Sequence, residues 1–456
     1  MDTAILIDTL FIQVKNLTAT VAKLAAENDL LKKDLADYKN KKNSNNSHIP
    51  PSQDQNRPKK NQSLRTKSGK KSGGQPGHKG TTLECSNNPD EVIDYQPAYC
   101  NNCGSDLSGL AATMVESRQV IDIPVIKATC VEHRIYQKKC SCGCRIQGEF
   151  PSHVAANIQY GPSIESLVGY LHARQYMPYK RMKEFFTDLL NLPMSEGSIT
   201  NILQRLTKKT LPYYELINQR ICTATYAGTD ETSTVINGIN HWMWAWQNNE
   251  LTFIACTGNR AFKTIEQYFP AGLPNTILGH DRYAAHFNCE AKQHQICIAH
   301  LLRDLKYIDE LYLKKCDWAV QMKSLLIKAL NLKKVLLTAD YYSHNEKRTA
   351  LEKEMAILLQ SSIDEAYGKA KTLQKSLLKH QQTILTFLWY DDVPPDNNGS
   401  ERAIRNVKVK QKISGQFKSQ DGANAFAVLR SIIDTVIKSG QNVLEALCLI
   451  AKFGAE

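Results

Sequence analysis

The stretch YAGTDETSTVI (residues 226–236), followed by HWMWAWQ (241–247) and LTFIACT (251–257), decides the fold. From Thr225 the apolar residues recur every second position, which is the period of a strand with one face buried. Asn237-Gly238 and Asn248-Asn249 separate the three runs, and such dipeptides make hairpin turns. Trp242, Trp244 and Trp246 alternate onto one face, a core face under a helix rather than a surface for stacking bases. Downstream, AFKTIEQYF (261–269) reads as a helix and NTILGHD (275–281) as a fourth strand; HQICI (294–298) is a fifth strand and AHLLRDLKYI (299–308) a further helix. Three antiparallel strands followed by β-α-β units predict a ribonuclease-H-like α/β core.

Three carboxylates punctuate this pattern: Asp230 in the first strand, Asp281 at the end of the fourth, and Glu401 in DNNGSERAIRN (396–406). The first two meet if their strands are neighbours, and Glu401 arrives on a helix announced by Asp396, Asn397 and Asn398. Three carboxylates can hold two divalent ions about 4 Å apart, which suits an in-line phosphodiester displacement. Carboxylate oxygens are hard ligands, so Mg2+ (or Mn2+) is the expected metal. Glu231 points to the opposite face of its strand and is left out of the site. Cys297, His300, His286 and His294 are read as core packing and support for the site rather than as a transition-metal cluster. A helical insertion, about 307–390, separates the second and third acids, which stand 120 positions apart.

Charge points the same way. The 456 residues carry a formal net charge of +12, which favours a polyanionic partner. Arg402, Arg405, Lys408, Lys410 and Lys412, with Lys418 beyond them, form a basic run beside the proposed ions and are read as DNA-phosphate contacts. No apolar run approaches the roughly 20 residues that span a bilayer. The N-terminus has no cleavable apolar stretch, so a cytoplasmic, nucleoid-associated protein with no membrane partner is expected. The thirteen cysteines are then read as reduced thiols, some of them metal ligands.

Ahead of the core the chain divides into four segments. Residues 1–40 carry heptads, with Leu10, Leu17, Leu24 and Leu31 at d and Ile7, Val14, Val21, Asn28 and Leu35 at a. Leucine at d, β-branched residues at most a positions and one Asn at a favour a parallel dimer, so a leucine zipper and a homodimer are expected; an amphipathic helix packed on its own chain is the alternative. Residues 41–83 form a basic linker in which ten Lys and Arg face one acid, Asp54, with too little apolar surface to fold alone. Residues 84–150 hold Cys100 and Cys103 in YCNNCG, then Cys140, Cys142 and Cys144 in KKCSCGCRI. Four thiolates suit one structural Zn2+, with Cys140 and either Cys142 or Cys144 completing the set. Between the clusters, VESRQVIDIPVIKATCVEHRIYQKK (115–139) reads as two strands of a zinc-ribbon-like module. In residues 151–218, Pro178 starts one helix, Asn191 to Ser195 makes a turn, and Ser195 and Ser198 cap a second helix through Leu206. That pair reads as a helix-turn-helix for DNA or as two packed helices. The core itself spans 219–445, and 446–456 is a short tail. The whole is a multidomain α+β chain.

The motifs GGQPGHKG (73–80), TDET around Asp230, GHDRYAAHFN around Asp281, CIAHLLRD (297–304), DNNGSERAIRNVKVKQK around Glu401 and GANAFAVLRSIIDTVIKSG (422–440), in this order, resemble the insertion sequence 66 family of bacterial DDE transposases. The likeness runs from residue 1 to about 445. It implies that Asp230, Asp281 and Glu401 are the catalytic triad on a ribonuclease-H-like fold. It also implies that the protein cuts the ends of an insertion sequence and joins their 3′ ends to target DNA. Small accessory proteins of the same element are further partners that it implies. The second cysteine cluster, C-S-C-G-C, departs from the cleaner C-x-x-C of the family, and the chain ends at LIAKFGAE, short of the family's longer C-terminal extension. Two other classes compete: a dimeric DNA-binding regulator with an inert core, and a metal-dependent nuclease that never joins strands.

Overall fold

The computed structural model describes residues 3–39, 42–43, 46–47, 85–123, 126–337, 341 and 344–454. Most of the basic linker, including GGQPGHKG, lies outside the described residues. Helix α1 (Thr3–Lys39) is one unbroken element, long enough for the heptads to form a continuous stripe. Val14, Leu17, Val21, Leu24, Leu31 and Leu35 on that stripe are all at least half exposed, and Asn28 lies exposed among them. The side chains of Ile7 and Leu10 fall outside the described residues.

The cysteine-bearing segment is mostly irregular. Strands β1 (Gln137–Lys139) and β2 (Arg145–Gln147) pair antiparallel around the second cysteine cluster. Of the two strands expected over 115–139, only β1, at the far end, is regular. Val115, Val120, Ile121 and Ile123 keep the apolar content of a strand but are highly exposed, because among the described residues no neighbouring strand or helix covers them.

From residue 162 the chain packs tightly. Helices α2 (Pro162–Gly169), α3 (Tyr179–Leu190) and α4 (Glu196–Cys222) come first, with a π-helical turn at Tyr170–Arg174. Asn191 adopts the left-handed conformation that closes α3, and the Ser195 side chain accepts from Ser198 N at 3.0 Å to cap α4, as the sequence predicts. α4 nevertheless runs far past Leu206. It carries Pro212 inside it, and a proline there removes a backbone bond. Tertiary anchors hold the second half: Tyr214 Oη donates to Ile254 O at 2.8 Å, and Ile217 and Ile221 are buried. Ile199, Ile202, Leu203 and Leu206 are buried as well, so α4 is a core helix for most of its length.

Strands β3 (Tyr226–Ile236), β4 (Ile239–Gln247) and β5 (Thr252–Thr257) form the antiparallel meander. Asn237 and Gly238 both have positive φ, 47° and 78°, as a two-residue hairpin whose twist matches its strands requires. The β4–β5 connection is longer than Asn248-Asn249: Asn248 Oδ1 accepts from both Glu250 N and Leu251 N. After α5 (Phe262–Tyr268) come β6 (Leu273–His280), α6 (Ala284–Phe287), β7 (Ala291–Ile296) and α7 (Ile298–Leu311). The five-stranded order is β5-β4-β3-β6-β7, with β6 parallel to both β3 and β7. Trp244 and Trp246 are fully buried and stacked at 5.7 Å between ring centroids, which places the tryptophan face in the core.

The insertion is helical, comprising α8 (Asp317–Leu336), α9 (Asn345–Gln360) and α10 (Gly368–Lys379). With α7 it builds a second core around Leu301, Trp318, Met322, Leu325, Phe387 and Leu388, separate from the one under the meander. The chain then returns as α11 (Asn398–Ser414), α12 (Gln420–Lys438) and α13 (Val443–Phe453). Residues 446–456, expected as a tail, supply most of α13. Its apolar side chains Leu447, Ile450 and Ala451 are buried and the helix packs on α2, so it closes the main core. Among the described residues no helix is long and apolar enough to cross a membrane.

Candidate active site

Parallel pairing brings the first two acids together. Gly228 of β3 stands opposite Gly279 of β6, and two residues further along each strand come Asp230 and Asp281. Asp281 follows the last residue of β6, where its carboxylate Oδ1 accepts from Tyr283 N at 3.0 Å. Arg282 between them has φ of 77°, uncommon outside glycine, and its side chain is held by an ion pair to Asp304. That kink turns the chain sharply at the acid. Glu401 occupies the first turn of α11, its N–H donating to Asn397 O at 3.1 Å, and His300 Nε2 lies 3.8 Å from its Oε1.

All three acids are partly exposed, so solvent and ions reach them. Enclosure by protein, and then the negative charges of Glu231, Asp281 and Glu401, push the Asp230 carboxyl well above the usual carboxylate range. Asp281 moves the other way. Its burial acts to raise it, but His286, the Tyr283 N–H, His300 and Arg260 together hold it below its ordinary value. Mutual repulsion among acids that face one another is what a bound cation relieves, and an oxygen-only donor set fits a hard divalent ion. Among the described residues no group of three or more His, Cys, Asp or Glu is drawn close enough to hold an ion as it stands.

Glu231 serves a different purpose from its neighbour. Its Oε1 accepts from Arg260 Nε at 2.6 Å and its Oε2 lies 3.0 Å from His286 Nε2, with both Glu231 and His286 side chains almost wholly buried. The Arg260 guanidinium is sandwiched between Tyr283 and Trp242, at 3.8 and 5.0 Å from their ring centroids. Nothing in the sequence singles out Arg260, because a lone arginine after a strand carries no spacing signal. Cys297 caps α7 rather than lying within a strand, and its Sγ accepts from Asn397 N at 3.3 Å. His294 Nδ1 lies 3.2 Å from His280 Nε2.

The basic run on α11 is split by the helical period. Arg402, Arg405 and Lys412 are exposed, as is Lys418 beyond the helix. Lys408 is half-buried and donates to Ser233 O at 2.8 Å. Lys410 is 5 % exposed, and burial pushes its pKa down to about 8. It faces inward, near His172, and is removed from any surface that meets DNA; a helix turns 100° per residue, so alternate lysines do not share one face.

In the cysteine segment two knuckles form. Gly104 N donates to Cys100 O and Cys100 N to Ser105 O; Gly143 N donates to Cys140 O and Cys140 N to Cys144 O. Hydrogen bonds from Ser105, and then Cys100, lower the Cys103 thiol pKa, and bonds with Cys144 and Cys140 lower that of Cys142. Both shifts favour thiolates. The described cysteines are not gathered into one ligand set.

Residues 157–425, more than half of the chain and inclusive of all three acids, match the family described as Transposase IS66 family. The chain belongs to that family of transposases. Residues 3–84 match a family of unknown function (DUF6444). No curated protein matches the chain.

Proposed function

We propose that this transposase cuts the phosphodiester backbone at the ends of an insertion sequence and transfers the freed 3′ ends to target DNA, with Asp230, Asp281 and Glu401 as its catalytic carboxylates. The observation that carries the reading is the parallel β3–β6 register, which sets Asp230 level with Asp281 while α11 delivers Glu401 into their shared field. The strand order β5-β4-β3-β6-β7 supports a ribonuclease-H-like core for this chemistry. The three carboxylates would hold two Mg2+ or Mn2+ ions, which supply charge stabilisation at the attacking and leaving oxygens. The protein's own part is to orient those carboxylates. Tyr283 N fixes the Asp281 oxygen, and the Arg282 kink turns the chain just past the C-terminal end of β6.

Arg402, Arg405 and Lys412 line the exposed side of α11 and are the phosphate contacts of this reading, for terminal inverted repeats and for target DNA. α1 is the homodimer contact, through the stripe of Leu10, Leu17, Leu24, Asn28 and Leu31. Zinc at Cys100, Cys103, Cys140 and Cys142 or Cys144 would draw the two knuckles together and give the irregular segment a core. Accessory proteins of the same element remain part of the proposal.

A strand-transfer assay separates the three classes. With labelled terminal repeats, a target plasmid and Mg2+, this reading expects cleaved ends and joined product, both lost on chelation. Cleavage without joined product would identify a nuclease, and binding without either would identify a regulator.

A further inference from the structure

We infer that Asn397 is a positioning residue that sets the distance between the first and third acids, an inference that rests on the three-carboxylate reading above. Asn397 is 1 % exposed and every polar group it carries is engaged. Its Nδ2 donates to Thr229 O at 2.7 Å, on the residue before Asp230. Its Oδ1 accepts from Ser400 Oγ at 2.7 Å, on the residue before Glu401. Its own carbonyl accepts from Glu401 N at 3.1 Å. Its N–H donates to Cys297 Sγ at 3.3 Å, and Cys297 N in turn donates to His280 O at 2.8 Å, on the residue before Asp281. The buried amide thus ties Thr229, beside the first acid, to Ser400, beside the third, while the main-chain N–H of the same residue reaches the strand end before Asp281 only indirectly, through Cys297.

The packing around it is made for that contact. A Cβ at Gly228 would stand 2.7 Å from Ser400 Oγ and 2.8 Å from Asn397 Oδ1, so only glycine lets the start of α11 close onto β3. Gly399 likewise leaves room for the Gln247 side chain, which lies under Ser400. Losing the amide frees α11 to shift against β3. The acids stay intact but their separation is no longer held, and ion binding weakens before chemistry does.

The test is Mn2+ affinity, read from the paramagnetic resonance of the free ion with the full chain, beside the Mn2+ dependence of end cleavage. Asn397→Ala is expected to weaken Mn2+ binding about tenfold or more and to shift the cleavage curve to higher Mn2+, with saturating Mn2+ restoring most of the rate. Asn397→Asp, which keeps the Ser400 bond but loses the donor to Thr229, shifts the same way. A folded Asn397→Ala protein with unchanged affinity and an unchanged curve would overturn the role. If that variant does not melt cooperatively, Ser400→Ala decides by the same criterion, with a shift of about threefold expected. Asp281→Ala separates the two layers: should it cleave normally, the three-acid reading itself fails, whereas a dead Asp281→Ala beside an unaffected Asn397→Ala removes only the positioning role.

Discussion

Asp281→Ala is expected to abolish both end cleavage and joining, by about a thousandfold or more, while DNA retention stays within about twofold of the parent protein. The magnitude follows from what that carboxylate does. Charge stabilisation of several kcal/mol at the reacting oxygens corresponds to about three decades of rate at 1.36 kcal/mol per decade. His286, the Tyr283 N–H, His300 and Arg260 hold the Asp281 carboxyl below its ordinary pKa against its own burial. Enclosure and acidic neighbours push Asp230 upward, a repulsion that a bound cation would relieve. Removing Asp281 therefore takes away a carboxylate that is ionised and ready for such a cation. DNA retention is expected to survive because the proposed phosphate contacts, the exposed Arg402, Arg405 and Lys412, belong to α11 and are untouched by the substitution. The measurement is single-turnover cleavage and joining of labelled ends, with retention read by gel shift.

Glu231→Ala is expected to cost about 3 kcal/mol of stability and to lower the melting midpoint by several degrees. Glu231 accepts from Arg260 and from His286, and its side chain is 1 % exposed. Truncation leaves His286 without its carboxylate in a fully buried site, edge-on to Trp244 at 5.7 Å between centroids. A buried group stripped of its partner costs far more than the intact pair contributes. The figure sits at the low end of the range for buried pairs because Arg260 is about a third exposed and water takes up part of its loss. Glu231→Gln, which keeps an acceptor for Arg260, should lose distinctly less. A melt of Glu231→Ala at the parent's midpoint would show that the pair is dispensable.

The meander was legible because its signals are local. Alternation over residues 226–257 and the positive-φ dipeptide Asn237-Gly238 each state their structure within a few residues. Asp230 and Asp281 could be paired only on the condition that their strands are neighbours, and the parallel β3–β6 register supplies that neighbourhood across two intervening strands. What escaped the sequence depends on partners far along the chain. α4 passes Leu206 because the sheet holds its second half, and α13 is a helix because α2 offers its apolar face a place. The lysines of VKVKQK read as one basic run, yet α11 sends Lys410 into the core and leaves Lys412 outside. Arg260 carries no spacing signal at all, and His286 and Asn397, legible as site support and as the opening of a helix, give no sign of their partners; the three bonds run to residues 29, 55 and 168 positions away in the chain. In the cysteine segment the local turns are present as read. Of the two strands between them only β1 forms among the described residues, since short alternating runs need a covered face before they pair.

The claim at the centre of this account is that Asp230, Asp281 and Glu401 act as one ion-holding group. Crystals of the full chain grown with Mn2+ and recorded at the manganese absorption edge test it most directly. The account predicts anomalous peaks bounded by these three carboxylates, about 4 Å apart if both ions are retained. Manganese bound elsewhere, with the three carboxylates bare and turned toward separate surfaces, would contradict it.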